Sequence, residues 1–505
     1  MSRALDHAIA CLAERRTPDN LPEFFALPIA LAIAQLDGLV APATARGWRR
    51  RLAETDPFRI YRTPVGGHDG PGISWNCLAA AGEFRLAAIG ARRGLDFVDA
   101  SVNGQGRYFD NEFDLYAEGP LVYDAFPRAW LAELPPGGYA GPAAAELTEA
   151  LDRAALASLF LQAPGGEAPI GGRSAHHQWA DALQAAIFEA AAARAAGRGD
   201  AWLAGVFKRA ARRAAAAMLP WRRDSGEWFV VKNRVTPELR HGFEPYSAHS
   251  QYNLLAACNL ALAWLHAGAT EDVAERLTPA ETGGHVLVLP SPFSCVVATC
   301  GGTQVTFFLS PHATQTPAGL ARIVFDGMPA TMGPGDGIAL HPAHELPGGT
   351  AEPVSTGLAW REGERWTSLA HLEAGAASAS IAIEREDPAL LRFALTWSLA
   401  PGGRITQHVQ MRPGEIMLDF EAEGLAEALA LRWPVFAGDG DAPAAIEAEQ
   451  GGCSVAFRGA RLRYRVAGAG PVRLSEETAH RNGWVRIATA EATGPGPLRL
   501  VISRG

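Results

Sequence analysis

The stretch HVLVLPSPFSCVVATCGGTQVTFFLS, residues 285–310, consists of three short runs of β-branched, apolar and aromatic residues parted by Pro/Ser and Gly-Gly turn signals, a pattern of consecutive strands. The pattern returns further along: ASASIAIERE from Ala377, LRFALTWSLA from Leu391, EIMLDFEAEG from Glu415, ARLRYRVAG from Ala460 and WVRIATAEA from Trp484. Regular spacing of this kind predicts an antiparallel β-sandwich. Upstream the texture is different. Ala/Leu-rich stretches of helical length run from Ala4 to Arg16, Cys77 to Leu95, Ala145 to Leu161, His176 to Ala196, Trp202 to Leu219 and Ser247 to His266. Consecutive helices with no strand between them must bury their apolar stripes on one another, which leaves a bundle, a solenoid or an incomplete (α/α) toroid. Loops rich in polar and aromatic residues, at 62–75 and 102–120, favour the toroid. The expected layout is a helical domain over 1–275 followed by an antiparallel β-sandwich over 276–505.

With 505 residues, 48% of them hydrophobic and 20% charged, the chain can bury large cores, and disorder is excluded. The net charge of −9 supplies no global positive field, so nucleic acid is not an expected partner. Only two lysines occur, Lys208 and Lys232; arginine carries the rest of the positive charge. The opening MSRALDHAIACLAERRTPDN lacks the features of a secretory signal, and no apolar run of about 18 residues follows. The expectation is a cytoplasmic protein with no membrane partner, or a periplasmic one if a leader has been removed. The six cysteines show no CxxC pair and are expected to be reduced and mostly buried.

Three clusters hold the candidate chemistry. In GGRSAHHQWADALQAAIFEA, from Gly171, Ser174 is a candidate helix N-cap, and Arg173, His176, His177, Gln178 and Trp179 crowd its entry. Adjacent histidines on a helix point about 100° apart, so one of the two is expected to face a cleft; the alternative is a capped surface helix with solvated imidazoles. In ELRHGFEPYSAHSQYNLLAACNLALAWL, from Glu238, a helix that already included Tyr246 would carry Tyr246, His249 and Asn253 in one sector, with Tyr252 at its edge. Such groups line a wet cleft or form an interior hydrogen-bonded network. In RYFDNEFDLYAEGPLVYDAF, from Arg107, the acids Asp110, Glu112, Asp114, Glu118 and Asp124 alternate with Tyr108, Phe109, Phe113, Tyr116 and Tyr123. Rings stack on pyranose faces and carboxylates accept from hydroxyls, so this run reads as a sugar subsite or as an ordered loop at a domain seam. Trp75 and Asn76 follow a Gly-rich loop containing His68 and Asp69.

Other chemistries find less support. There is no HExxH, no Cys pair, no GxxxxGK[ST] and no GxSxG, and the glycines at 333, 335 and 337 have no helix after them. His312, His341, His344, His371 and His408 are too dispersed to define a metal site. No cofactor is expected, a structural zinc at the domain interface being the one open option.

HHQW (176–179) and RHGFEPYSAHSQYN (240–253), on a helical half joined to a large antiparallel β-half, resemble the polysaccharide lyases with an (α/α) toroid and a β-sandwich, the group that contains alginate, chondroitin and heparin/heparan lyases. That family often pairs Asn with His on one helix and places Tyr a turn or two after Arg. Matching His177 to the family histidine puts His176 at the Asn position, while Arg240 and Tyr246 resemble the Arg and the Tyr. The carboxylate-neutralising residue is then Gln178, Asn76 or His176. The resemblance implies β-elimination on a uronate-containing oligosaccharide or polysaccharide. The acidity of the C5 proton requires a neutralised carboxylate, a base takes the proton, and a tyrosine can protonate the leaving oxygen. His177 is the expected base or carboxylate binder, Tyr246 the base and acid, His249 a second acid/base group, and Arg173 and Arg240 the charge partners. Asn76, His176, Gln178, Trp179, Tyr116, Glu112 and Tyr252 complete the expected substrate contacts. Two alternatives stand beside this: a glycoside hydrolase on the same scaffold using Asp110, Glu112 or Asp114, and a noncatalytic carbohydrate-binding protein. The sequence leaves the oligomeric state open.

Overall fold

The computed structural model describes all residues except 1, 18–20, 63–72, 173, 312–315, 334–345, 347–352, 401, 426–427 and 495. Arg173, His68, Asp69, His312, His341, His344, Gly335 and Gly337 thus lie outside the described residues.

The first half is helical. Its helices are α1 (Ser2–Ala13), α2 (Glu23–Leu36), α3 (Pro42–Ala53), α4 (Pro57–Ile60), α5 (Ile73–Ala88), α6 (Asp96–Gln105), α7 (Ala125–Leu131), α8 (Ala144–Leu161), α9 (Gln178–Gly197), α10 (Ala201–Met218), α11 (His249–Ala267) and α12 (Pro279–Thr282). Helix α9 is the hub. Ala dominates it, every residue from Gln178 through Ala192 is buried, and it packs on both α10 and α11. Small side chains permit such close helix contact on several faces. Helices α2 and α3 were not expected from the sequence. Helix α2, EFFALPIALAIAQL, is apolar on nearly all sides and contains Pro28, so it shows neither an amphipathic stripe nor an unbroken helical signal, yet it packs against α5.

The second half is antiparallel throughout its described ladders. Strands β1 (Gly283–Leu289), β2 (Cys295–Cys300), β3 (Thr303–Phe308) and β4 (Gly319–Phe325) form a four-stranded sheet in sequence order. Then come β5 (Gly357–Glu362), β6 (Arg365–Ser368), β7 (Ala377–Arg385), β8 (Leu391–Leu399), β9 (Gly403–Arg412), β10 (Glu415–Glu423), β11 (Leu429–Gly438), β12 (Ala445–Glu449), β13 (Gly452–Phe457) and β14 (Ala460–Ala467). The last are β15 (Arg473–Leu474), β16 (Thr478–His480), β17 (Gly483–Glu491) and β18 (Leu498–Arg504). They make an eight-stranded sheet, β12-β13-β14-β18-β10-β9-β8-β7, and a six-stranded sheet with the path β15-β17-β11-β5-β6, onto which β16 pairs through β17. All three sheets contribute to one core containing Phe307, Trp397, Trp433 and Tyr464.

Burial explains the two textures of strand sequence. In β8 every second residue, from Leu391 to Leu399, is buried, because one face is core and the other meets solvent. In β2, β3 and β4 every residue is buried. Their outer face lies against the helices: Leu289, Cys295, Val297 and Phe308 join Leu121, Ala154, Leu161 and Ile170 in a second core. Continuous apolar runs such as SCVVATC are therefore the mark of a sheet covered on both sides. Polar groups on that face are paired across the seam, Gln304 Nε2 donating to Gln162 O (2.9 Å) and Arg322 to Ala168 O (3.0 Å).

Candidate active site

The entry to α9 departs from the expected cap. Ser174 is not the N-cap; Ser174 to His176 form a turn, His176 sits at φ 64°, and the helix starts at Gln178 with His177 in the cap position. The turn is held from outside. Gln178 N donates to Val230 O (3.0 Å), and Lys232 N donates to His176 O (3.0 Å). Gly172, at φ 110°, must be glycine, since a Cβ there would lie 2.4 Å from the Pro120 ring.

This geometry sends the two histidines apart. His177 is wholly buried: its Nδ1 accepts from Trp179 Nε1–H (3.1 Å), its Nε2 lies 3.0 Å from Glu244 Oε2, and Tyr252 meets its ring edge-on at 5.3 Å. The Trp179 donor leaves the proton of a neutral ring on Nε2, facing the carboxylate. His177 is thus positioned behind the cleft wall, and the expectation that it touches substrate is corrected. His176 is turned to a different cleft, about 540 Å³ in volume, between the helical and β halves, where Lys232, Arg234, Arg322 and Asp439 also lie.

Helix α11 begins at His249, later than expected, so Tyr246 precedes it in a turn and the predicted common sector does not form. Arg240, at φ 52°, donates to the carbonyls of Ser247 (2.7 Å), Glu244 (3.0 Å) and Pro245 (2.9 Å). It staples the loop that carries Tyr246, which corrects its expected role as a charge partner for substrate. Tyr246 is 51% exposed, and its hydroxyl lies 3.4 Å from that of Tyr123, which in turn lies 2.9 Å from Ser174 Oγ. His249 faces Glu227 instead (Nε2 to Oε2 3.5 Å), and Asn253 is engaged with the backbone of Trp228 through both amide atoms (2.7 and 3.0 Å). The second expected acid/base group is therefore not brought to Tyr246's cleft.

That cleft measures about 700 Å³ and is walled by Phe24, Trp75, Tyr123, Trp179, Tyr246 and Tyr252 among others, from α2, α5, α9 and the start of α11. Among its described lining residues there is no Asp, Glu, His, Lys or Arg; Ser74, Ser250 and Gln251 supply polar side chains. Aromatic walls with few polar groups suit stacking on sugar rings.

The expected substrate contacts divide. Trp179 and Tyr252 reach the wall of the cleft. Tyr116 does not: it is core, stacked on Tyr108 at 4.9 Å with its hydroxyl donating to Gln105 Oε1, and burial pushes that hydroxyl's pKa far above its ordinary value. Glu112 is exposed on a turn away from the cleft lining, and Asp114 and Asp124 are paired with Arg153 and Arg128. Asn76 and Gln178 are buried, at 3% and 2% exposure, outside the described lining. Arg173 lies outside the described residues. Sequence reading left Glu244 and Gln251 without a role. Glu244 is the one acid within FEPYS, next to the proline before Tyr246, and Gln251 lies in the first turn of α11, three residues after Ala248. Among the described residues no group of three His, Cys, Asp or Glu could hold a metal ion, and no helix is long and apolar enough to cross a membrane. All six cysteines are free thiols.

No family model matches the chain, and no curated protein matches it. Among solved structures, a Paenibacillus xanthan lyase is similar at TM-score 0.51 and 10% identity, the match covering 95% of this chain and 48% of that one, so the chain spans about half of the lyase's length. A mutant heparan sulfate lyase of Pedobacter heparinus (TM-score 0.41, 12% identity, 95% and 76% covered) and a chondroitinase AC lyase (0.38, 10%, 100% and 80%) are also similar. Helices first and antiparallel sheets after, the chain has the fold of a polysaccharide lyase.

Proposed function

We propose that the protein is a lyase that cleaves a uronate-containing glycan by β-elimination, with Tyr246 as the group that moves the proton. The observation that carries the reading is the placement of this phenol: half-exposed at the rim of an aromatic cleft, beside the hydroxyl of Tyr123, on a loop stapled by Arg240. A sugar ring stacked on the aromatic wall would present its C5–H to Tyr246, which takes that proton as base and returns one to the leaving glycosidic oxygen as acid. The uronate carboxylate must be neutralised as C5 loses its proton. The start of α11 suits this task. Ala248, Ser250 and Gln251 line the cleft, Ala248 offers no capping side chain, and the N–H groups of a helix's first turn have no carbonyl one turn earlier to accept from them.

The hydrolase reading fits less well, because glycoside hydrolysis of that type needs two carboxyl groups flanking the bond and the described lining of this cleft holds none. The test is a panel of uronate-containing glycans followed by ultraviolet absorbance of the unsaturated product. Absorbance that rises with the wild type and not with Tyr246→Phe supports the reading; reducing ends released without absorbance, or binding without turnover, refutes it.

A further inference from the structure

The loop carrying Tyr246 is held from the far domain. Between β16 and β17 the chain turns through Arg481 and Asn482, both buried, and this turn is pressed into the helical half. Arg481 donates to Gly172 O (3.2 Å) and to Glu244 Oε1 (3.4 Å), while its own carbonyl accepts from Asn233 Nδ2 (2.8 Å). His241 donates from Nε2 to His480 O (2.7 Å) and lies against Trp484 with ring centres 4.9 Å apart; Asn482 Nδ2 donates to Lys232 O (3.0 Å). At Gly242, φ 75°, a Cβ would lie 2.9 Å from Arg481 O, so the approach depends on glycine. We infer that Arg481 is a positioning residue for Tyr246, acting through Glu244, so that the C-terminal domain sets the geometry of the cleft in the helical half. This rests on the proposed lyase reading for its kinetic consequence only.

Glu244 is completely buried, and a buried carboxylate persists only with charge partners and hydrogen bonds. It accepts from Ser247 Oγ (2.9 Å), lies 3.0 Å from His177 Nε2, and has a guanidinium partner in Arg481 (3.4 Å). Tyr246 sits between Glu244 and Ser247, so the carboxylate brackets the phenol's backbone on both sides. Arg481 holds the Oε1 side of the carboxylate, so its loss lets the carboxylate shift, and Ser247 and His177, which contact the other oxygen, shift with it. A displacement on the order of 1 Å at a reacting group lowers turnover by about a hundredfold.

The experiment compares wild type, Arg481→Met and Arg481→Lys. Expected is a turnover loss of tenfold or more in Arg481→Met with KM within about threefold, and a smaller loss in Arg481→Lys, which keeps the charge. A second readout needs no substrate. In protein labelled with 3-fluorotyrosine, the Tyr246 resonance, identified by its loss in Tyr246→Phe, shifts in Arg481→Met, whereas that of Tyr464, stacked on Trp433 in the β core, stays in place. An unmoved Tyr246 resonance in the folded variant overturns the inference, whatever the turnover. If Arg481→Met does not fold, the same resonance in Arg481→Lys decides: a shift from its wild-type position supports the inference and no shift overturns it. Absence of turnover in the wild type refutes the lyase reading alone, since the fluorine shift still decides the role of Arg481.

Discussion

His177 Nε2 lies 3.0 Å from Glu244 Oε2, and neither side chain has any exposed surface. With Trp179 Nε1–H directed at the other ring nitrogen, the imidazole is held from both sides and serves as a strut between α9 and the loop of Tyr246. Replacing it by alanine leaves the Trp179 donor unpaired and takes from Glu244 the imidazole that lies against its Oε2. His177→Ala is expected to lose about 3 kcal/mol of stability, as measured by urea unfolding. A loss of under about 1 kcal/mol would show that the contact is not structural.

Tyr246→Phe separates chemistry from stability. The side chain is half in solvent, so the melting temperature is expected to stay within the small range of surface substitutions, while turnover on a uronate glycan falls by about a hundredfold to ten-thousandfold with loss of the acid/base group. Unchanged turnover would remove Tyr246 from the mechanism. A matching loss of stability would make the Tyr123 contact its main role.

The division of the chain was legible because each half states its period: Ala/Leu stretches of helical length before about residue 280, and β-branched runs with turn signals after it. Helix α2 was not, since an all-round apolar segment containing Pro28 has no face to read. Three strands of the four-stranded sheet, β1 to β3, were legible as strands but β4 was not, and none was legible as part of a layer, because burial on both sides is a property of what packs on the sheet. Within the site, Tyr246, Trp179 and Tyr252 could be picked out as cleft residues, whereas His249 was misplaced. The wheel that grouped it with Tyr246 presumes a helix from residue 246, and the loop before α11 is instead fixed by Arg240 and Glu244, tertiary contacts that leave no periodic trace.

Glu189 on α9 is a buried carboxyl that titrates in the neutral range. Burial pushes its pKa up to about 7, with Arg212 and Lys208 pulling the other way. Below its ordinary value of 4.5 the group is protonated in the folded and unfolded chains alike and has no effect. Between that value and about 7 the unfolded chain releases the proton first, so stability falls as pH rises, by about 3 kcal/mol once both states are ionised. Glu189→Gln is therefore expected to melt higher than wild type at about pH 8, with the gap closing toward about pH 4. A gap of the same size at both pH values would contradict this origin.

The two lysines of the chain are both buried, and Lys232 shows how the helical half is fastened around the candidate site. Its Nζ lies 2.8 Å from Asp181 Oδ2 in the first turns of α9, while its backbone N–H donates to His176 O and its carbonyl accepts from Asn482. Asp181 Oδ1 also accepts from Ala168 N (2.8 Å), so the carboxylate links three segments. Removing the ammonium alone strands a buried carboxylate, and Lys232→Met is expected to lose about 3–5 kcal/mol. Asp181→Leu strands the ammonium and the Ala168 donor and should be comparably harmful. The double variant strands neither charge, so its loss should be smaller than the sum of the two single losses by 2 kcal/mol or more, on the order seen for buried pairs in double-mutant cycles. Losses that simply add would mean that the two side chains contribute through packing alone, and that the entry of α9 is fixed by the backbone hydrogen bonds that Lys232 N–H donates and Val230 O accepts, without help from charge.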